Sequence, residues 1–295
     1  MNTQLPPITS LPTDLSKKQL FDTVSDACSA TTTKAYSTSF SLGIRCLSKE
    51  LHTPIHNIYG FVRFADEIVD SFHAYDKQQL FDEFKRDTYL AIARKISMNP
   101  ILNSFQQVVN KYGIEHELID CFLNSMEIDL QQREHSQTSY ETYIVGSAEV
   151  VGLMCLHVFT NNNTTYYQQL KPLAMKLGAA FQKINFLRDL KDDTQALGRQ
   201  YFPQLQYATF TSATKTSIET EIASDFAQGL AGIKQLPKSA QFGVYVAYIY
   251  YLKLFEKIKA TSPEQVMNTR IRINNAQKFL LLITSGIRYN TIGIK

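Results

Sequence analysis

Two strongly apolar segments of this chain each carry one narrow stripe of polar side chains. In YGFVRFADEIVD, residues 59–70, a helix turning roughly 100° per residue places Arg63 about 60° and Asp70 about 40° from Asp66, on one side. The other side chains are mostly apolar, so we expect this helix to be buried. A buried carboxylate must be paired, hydrogen-bonded or bound to a cation, so the fold has to provide partners for both aspartates.

The second stripe lies in AAFQKINFLRDLKDD, residues 179–193. On the same projection Asp189 and Asp193 fall about 20° to either side of Gln182. Asp192 falls off the stripe, and we expect it in solvent. Two carboxylate pairs with the same spacing, on two buried helices, are therefore predicted to face each other across a cavity.

Paired carboxylates of this kind predict a site for a hard divalent cation, Mg²⁺ or Mn²⁺ in its place. Mg²⁺ keeps several waters and shares its coordination shell with substrate phosphates, so the pattern favours a diphosphate ligand, whose oxygens Arg63 and Arg188 would contact. Such a site suits ionisation of an allylic diphosphate inside an apolar cavity. The residues alone leave a simpler interpretation open, in which Arg63 forms an ion pair with one of the aspartates.

Helical periodicity runs through most of the chain, and only 12 glycines and 9 prolines occur among 295 residues. This predicts an all-α protein without a linker that would divide it. The N-terminal residues 1–14 are interpreted as a flexible leader and 15–295 as one domain. Helices are predicted at 15–30, 54–72, 76–97, 100–111, 115–133, 140–160, 165–191, 215–233, 238–259 and 263–288.

Bulk properties exclude several classes of protein. The net charge of +3 is spread without runs, so no nucleic-acid partner is expected. The four cysteines are too far apart for a disulfide scaffold or a zinc site, which favours a reducing cytoplasm. The longest uncharged apolar run, 241–252, is shorter than the roughly 20 residues that cross a bilayer. Peripheral membrane association and the oligomeric state stay open.

A third segment, YIVGSAEVVGLMCLHVF at 143–159, is rich in small residues. Gly146 and Ala148 beside Val151 would leave room for a hydrocarbon chain in a tunnel. Small residues also allow two helices to pack closely, and the residues alone do not separate these interpretations. Glu149 is expected on the outer side of this helix.

The motifs together resemble the squalene and phytoene synthases. The resemblance rests on YSTSF at 36–40, the two aspartate stripes, YIVGSAEVVGLM at 143–154, GRQYFP at 198–203 and TRIRI at 269–273. It implies a single all-α domain of the isoprenoid-synthase type, a bundle of helices around a central cavity. It also implies that two aspartate-rich motifs bind diphosphates through Mg²⁺.

The resemblance carries over to single positions of this sequence. It implies catalytic roles for Tyr36, Arg63 and Tyr143, and metal binding by Asp66, Asp70, Asp189 and Asp193. It implies contacts with substrate diphosphate for Ser37, Ser39, Gln182, Asn185, Arg188, Arg199, Tyr251 and Arg270, with Arg272 as the alternative to the last. Gly146, Ala148 and Val151 would line the tunnel. Glu149 and Lys191 depart from the family's usual pattern.

Within the family, the resemblance favours the bacterial phytoene synthases. The expected reaction condenses two geranylgeranyl diphosphates through prephytoene diphosphate to phytoene, with release of diphosphate and without NADPH, in carotenoid biosynthesis. A squalene or dehydrosqualene synthase using farnesyl diphosphate shares the same motifs. A non-catalytic lipid-binding member is disfavoured because all four carboxylates are present. A terpene cyclase is disfavoured because the sequence from Asp189 onward lacks its usual second metal motif.

Overall fold

Almost all described residues of the computed structural model, 15–131, 135–205, 210–291 and 293–294, are helical. The α-helices are α1 (Leu15–Tyr36), α2 (Thr38–Arg45), α3 (Lys49–Asp70), α4 (Lys77–Arg94), α5 (Pro100–Tyr112), α6 (His116–Gln131), α7 (Gln137–Ile144), α8 (Val150–Thr160), α9 (Thr164–Asp192), α10 (Ser212–Gln235), α11 (Lys238–Lys259), α12 (Pro263–Asn268) and α13 (Asn275–Thr291). Short π-helical segments, Val145–Glu149 and Asp193–Leu197, follow α7 and α9. The predicted all-α fold is confirmed, while the predicted leader lies outside the described residues.

Local sequence signals explain several helix ends. Asn99 caps α5 by accepting the backbone N–H of Ile101 at 3.0 Å, and Pro100 occupies the first turn, where a missing N–H costs nothing. Gly113 ends the same helix with φ +60°, a left-handed conformation that glycine adopts without strain. Asn163 caps α9 in the same way as Asn99 caps α5.

The predicted boundaries fail most clearly at two places, and in addition α3 begins at Lys49, five residues before the predicted start at 54. The helix predicted at 263–288 is two helices, because Thr269 is extended at φ −140°. Ile271 and Ile273 alternate with arginines there, and a two-residue period is typical of extended backbone. The second failure is α2, which the sequence analysis missed because it has only eight residues. A single extended residue, Ser37 at φ −144°, separates it from α1, which runs six residues further than predicted.

Two long helices form opposite walls of the interior. α3 packs against α1, α4, α5, α6 and α8, and α9 packs against α8, α10, α11 and α12. One continuous apolar core joins them, with Phe61 of α3 stacked on Phe105 of α5 at a ring-centroid distance of 3.8 Å. The helices that carry the two polar stripes are thus held rigidly in the core.

The segment Val145–Glu149 brings the chain unusually close to α9. A Cβ atom on Gly178 of α9 would lie 2.8 Å from the carbonyl oxygen of Ala148, so only glycine fits at this crossing. π-helical segments inside α-helices are often found at functional sites. Here the segment shapes the wall that faces α9.

One described stretch, Gln137–Thr160, is long and apolar enough to cross a membrane, judged by length and composition alone. The stretch does not stand out as an uncharged run in the sequence, because it includes Glu141 and Glu149. In the structure 56% of its most apolar window is buried inside the protein, with Tyr140 and Met154 among the core residues. Since a core helix of a soluble protein passes the same test, its burial favours a place in the core.

Candidate active site

The two polar stripes meet at one end of a cavity of about 890 Å³. Sixteen of the residues assigned in the sequence analysis line this cavity: Tyr36, Ser37, Ser39, Arg63, Asp66, Asp70, Tyr143, Ala148, Val151, Gln182, Asn185, Arg188, Asp189, Asp193, Tyr251 and Arg270. We call the end with the aspartates the mouth, because the side chains of Tyr36 and Asp192 there are each 49% exposed. The opposite end is apolar and is lined by Phe159, Leu170, Ile233 and Leu236.

The aspartates on α3 and at the end of α9 influence one another across the cavity. Burial raises the pKa of Asp66 to about 8, and the neighbouring charge of Asp70 adds to this rise. Burial likewise raises the pKa of Asp193 to about 8, with contributions from the charges of Asp189 and Asp70. Asp70 and Asp193 belong to different helices, so the two carboxylate pairs face each other as their spacing predicts.

Arginines neutralise the negative charge of two of the four carboxylates, Asp70 and Asp189. Arg199 Nη1 lies 2.6 Å from Asp70 Oδ1, and Arg270 Nε lies 2.8 Å from Asp189 Oδ1. Within the described part of the chain, Asp66 and Asp193 take part in no ion pair. Two unpaired carboxylates remain in the cavity wall, where a cation would stabilise their charged forms.

Arg63 does not pair with either aspartate of its own stripe. It forms an ion pair with Glu67, one turn further along α3, and its guanidinium carbon lies 4.3 Å from the ring centroid of Tyr36. The simpler interpretation left open by the sequence, an ion pair between Arg63 and Asp66 or Asp70, is therefore not what this structure contains.

The donor set at the mouth fits Mg²⁺ in one particular way. All four side chains supply carboxylate oxygens, the ligands that hard cations prefer. No group of three or more His, Cys, Asp or Glu among the described residues is placed to hold a metal ion by itself. A cation between the two pairs would therefore take most of its ligands from water and a bound diphosphate, as Mg²⁺ commonly does.

The other side of the mouth is built for an anion. Ser37, Thr38 and Ser39 at the N-terminus of α2 line the cavity, and backbone N–H groups at such a terminus favour phosphate. Lys278 Nζ lies 2.7 Å from Thr38 Oγ1. Burial lowers the pKa of Lys278, and the positive charge of Arg188 nearby lowers it further. A diphosphate would relieve that repulsion.

Aromatic rings cover the wall just inside the mouth. Phe181 stacks on Tyr251 at a centroid distance of 3.9 Å, and Phe40 lies 6.2 Å from Tyr251. The Tyr251 hydroxyl donates to Asn185 Oδ1 at 3.2 Å, which fixes the ring. Aromatic faces attract nearby positive charge, so these rings would stabilise a cation formed beside them.

Asp129 on α6 is a cavity residue that the sequence analysis missed. Its buried carboxylate accepts hydrogen bonds from the hydroxyls of Tyr143 at 2.5 Å and Tyr201 at 3.3 Å, while its Oδ1 has no partner. Burial raises its pKa to about 7, although Arg199 opposes the rise. The signal was present, since SMEIDL places Asp129 between Ile128 and Leu130, but no second carboxylate stands three or four residues away to form a stripe.

Three expectations about individual side chains need correction, and a fourth needs an addition. Gly146 does not line the cavity, because it packs against α6, where a Cβ atom would lie 2.6 Å from the carbonyl oxygen of Cys121. Arg199 lies behind Asp70 and is not itself a lining residue. Glu149 is buried and not on an outer face. Asp192 is exposed to solvent as expected, and it also lines the mouth and pairs with Arg270.

Comparison with known proteins agrees with this geometry. The family model described as squalene/phytoene synthase matches residues 33–277. A presqualene diphosphate synthase of Sinorhizobium fredii is 31% identical over 61% of this chain and 63% of its own length. A 15-cis-phytoene synthase of Pantoea ananas is 23% identical over 85% of this chain and 87% of its own.

Among solved structures, a dehydrosqualene synthase in complex with a ligand shares the fold. It superposes with a TM-score of 0.76 at 19% identity, over 92% of this chain and 99% of the other. The chain spans about three fifths of the length of the presqualene diphosphate synthases that it matches first.

Proposed function

The chain belongs to the squalene/phytoene synthase family, and from this premise we propose that it joins two prenyl diphosphates head to head. The observation that carries the proposal is the pair of facing carboxylate pairs at the mouth of a deep apolar cavity. Such a cavity holds a hydrocarbon chain with its diphosphate at the charged end. Mg²⁺ bound between the pairs would supply the positive charge that lets a diphosphate leave.

The side chains at the mouth would divide the work of the first half-reaction. Ser37 and Ser39 bind one diphosphate with the N-terminus of α2, and Arg188 and Arg270 bind phosphate oxygens on the α9 side. The stacked rings of Phe181 and Tyr251 face the allylic cation that remains after ionisation. Because the cavity excludes water, the double bond of the second substrate is the nucleophile that reaches it.

A proton must leave carbon when the cyclopropane ring closes. The Tyr143 hydroxyl reaches the cavity and is bonded to the Asp129 carboxylate, so it is held in a fixed direction. Tyr36 lies at the exposed mouth, next to Arg63. We propose that the departing diphosphate or Tyr36 accepts this proton, and that both tyrosines border the reacting carbons, with Tyr143 positioned by Asp129.

For the substrate, we propose geranylgeranyl diphosphate, with phytoene as the product and no need for NADPH. The depth of the cavity supports this choice. Lining residues of α9 run from Asp189 to Leu170, about 28 Å at the helical rise of about 1.5 Å per residue. For comparison, the lipid hydrocarbon chains of one bilayer leaflet span about 15 Å. A prenyl chain of C20 length therefore fits within the cavity.

Farnesyl diphosphate is the second candidate substrate. It is favoured by the relative from Sinorhizobium fredii, a presqualene diphosphate synthase with 31% identity. A shorter chain would leave the far end of the same cavity unfilled. The product would be presqualene diphosphate, or squalene or dehydrosqualene if the second half-reaction follows.

The test is product identification with purified protein and Mg²⁺. Farnesyl and geranylgeranyl diphosphate are offered separately, each with and without NADPH, and products are identified by mass spectrometry after phosphatase treatment, so that a diphosphate intermediate is also seen. A C40 hydrocarbon without NADPH supports the proposal. C30 products from farnesyl diphosphate alone would assign the second candidate, and no coupled product from either substrate would refute head-to-head synthesis.

A further inference from the structure

The C-terminal helix α13 has an apolar face that no described part of the chain covers. Phe279, Leu280, Ile283 and Ile287 are 63%, 61%, 45% and 60% exposed. At roughly 100° per residue these four side chains fall within an arc of about 100°, so they form one stripe along just over two turns. We call this stripe the outer face of α13. Large apolar side chains that are exposed as a group mark a contact surface more often than scattered single ones do.

The opposite face of α13 is firmly docked, so the outer face is not a misplaced core face. The Tyr250 hydroxyl of α11 donates to the carbonyl oxygen of Lys278 at 3.0 Å. Near the other end, the Tyr289 hydroxyl donates to Gln241 Oε1 at 2.8 Å. Ser285 between them is buried. α13 therefore runs antiparallel along α11 and turns its outer face away from the protein.

The charged residues in the stretch of chain that contains α13 are all basic, and one of them, Arg270, pairs with Asp189 and Asp192 at the mouth. After Glu264, residues 265–295 include five basic residues and no acidic one. Three of the five, Arg270, Arg272 and Lys278, also line the cavity. The outer face thus begins one residue beyond a cavity-lining lysine, beside the mouth and within a basic stretch of chain.

We propose that the outer face of α13 docks on a lipid bilayer that carries anionic headgroups. An apolar stripe on a helix whose charged side chains are lysine and arginine is the pattern of a helix that lies in the membrane interface, and the positive charges of Lys278 and Arg288 complement anionic lipid. The purpose of membrane docking rests on the proposed function, because long-chain substrates and a hydrocarbon product would partition into the lipid beside the mouth. Vesicle binding needs no turnover, so this inference and the proposed function fail separately.

The first experiment measures co-sedimentation of the full chain with vesicles. Vesicles of equimolar phosphatidylcholine and phosphatidylglycerol are compared with phosphatidylcholine alone, at low and high salt. We expect binding to the anionic vesicles that weakens with salt. The double variant Ile283→Ser with Ile287→Ser should lower the partition coefficient by roughly tenfold or more.

The control variant is closely matched. Leu20 and Val24 on α1 have the same four-residue spacing and are 66% and 52% exposed. Leu20→Ser with Val24→Ser should leave vesicle binding unchanged, and thermal unfolding checks that both double variants fold. Absence of binding by the unaltered chain would overturn the proposal, and so would equal loss of binding in the two double variants.

A second experiment uses the absence of tryptophan from this sequence. Phe279→Trp places a single fluorophore on the outer face, and Val24→Trp places one on α1 for comparison. With anionic vesicles, emission of the first variant should shift to the blue and be quenched by brominated lipid, while the second should not respond. Blue-shifted emission without vesicles would mean that another part of the chain covers the face, and this would overturn the proposal.

The remaining occupant of such a face is a second copy of the chain. Sedimentation velocity without lipid distinguishes it. A dimer that the Ile283→Ser with Ile287→Ser variant dissociates would assign the face to self-association and refute membrane docking. A species unchanged by the variant, together with vesicle binding that the variant loses, supports the membrane.

Discussion

Replacing Asp66 by Asn should stabilise the metal-free protein while removing its response to Mg²⁺ and diphosphate. The pKa of Asp66 is raised from 3.8 to about 8, mainly by burial. At pH 7 the Asp66 carboxyl is therefore ionised in the unfolded chain and takes up a proton on folding, roughly three pH units above its ordinary pKa. At about 1.36 kcal/mol per unit, this lowers the free energy of unfolding by at most about 4 kcal/mol. Asp66→Asn removes this cost with little change in size. Because Asp66 is only half-buried, we expect a gain of about 1–3 kcal/mol in the free energy of unfolding.

The dependence of the free energy of unfolding on pH gives the direction of this prediction. The folded protein binds the proton more tightly than the unfolded chain, so the metal-free protein loses stability as pH rises from about 4 to about 8. The advantage of Asp66→Asn should grow over the same range and level off above it. Thermal unfolding at pH 6, 7 and 8 measures this, with an expected rise of roughly 2–8 °C in the midpoint at pH 8.

Asp192 provides the matched control. It lies at the same mouth, but its side chain is 49% exposed and pairs with Arg270. Asp192→Asn should change stability little at any pH. With Mg²⁺ and a non-ionisable diphosphate analogue, the unaltered chain and Asp192→Asn should gain stability, and Asp66→Asn should not. An Asp66→Asn protein that is less stable at every pH, or that still responds to Mg²⁺ and the analogue, would refute the reasoning.

Three further predictions follow from other parts of the cavity. Ala174 lines the cavity about 22 Å from Asp189 along α9, so Ala174→Phe should shorten the space for the hydrocarbon chain. It should lower kcat/KM for geranylgeranyl diphosphate more than for farnesyl diphosphate, and an equal loss for both substrates would contradict this depth of the cavity. Tyr143→Phe and Asp129→Leu each remove the hydrogen bond between these two side chains, so each should lower kcat by about tenfold or more, and the double variant should lose no more than the larger single loss. Additive losses would separate the two roles. Gly178→Ala should destabilise the protein by about 1–3 kcal/mol in chemical denaturation, because its Cβ would lie 2.8 Å from the Ala148 carbonyl oxygen, whereas Gly152→Ala, at 3.4 Å from the Ala174 carbonyl oxygen, should cost less.

The sequence could predict the site's charged end because burial and charge conflict there in a recognisable way. Carboxylates repeated at i and i+4 in an apolar helix need buried partners. Two such helices can meet that need together, by facing each other across one cation site. Asp66, Asp70, Asp189 and Asp193 therefore came together as expected. The all-α fold was equally accessible, since periodicity over ten segments leaves little room for strands.

Other features depend on contacts that one sequence does not reveal. Gly146 and Gly178 are both small residues at crowded positions, yet one packs on α6 and the other on the segment Val145–Glu149. Which small residue borders the tunnel depends on where the π-helical segment shifts the register, and periodicity assumes a uniform helix. Asp129 was missed because its partners Tyr143 and Tyr201 are distant in sequence.

The interruption of the helix at 269–274 is another feature that the sequence pattern did not predict. Apolar residues on both sides suggested one long helix, but Arg270 reaches back to Asp189 and Ile271 is buried. The segment is extended because its side chains serve the mouth and the core at the same time. Its two-residue alternation was visible in the sequence and was outweighed by the longer helical pattern around it.

The most direct test of this account is calorimetric titration of the protein with a non-ionisable geranylgeranyl diphosphate analogue, at several concentrations of Mg²⁺. If the two carboxylate pairs hold one Mg²⁺-diphosphate assembly between them, binding should require Mg²⁺ and should be lost in Asp66→Asn and in Asp193→Asn, one variant from each helix, but kept in Asp192→Asn. Equal binding in EDTA, or full binding by either of the first two variants, would contradict a shared site.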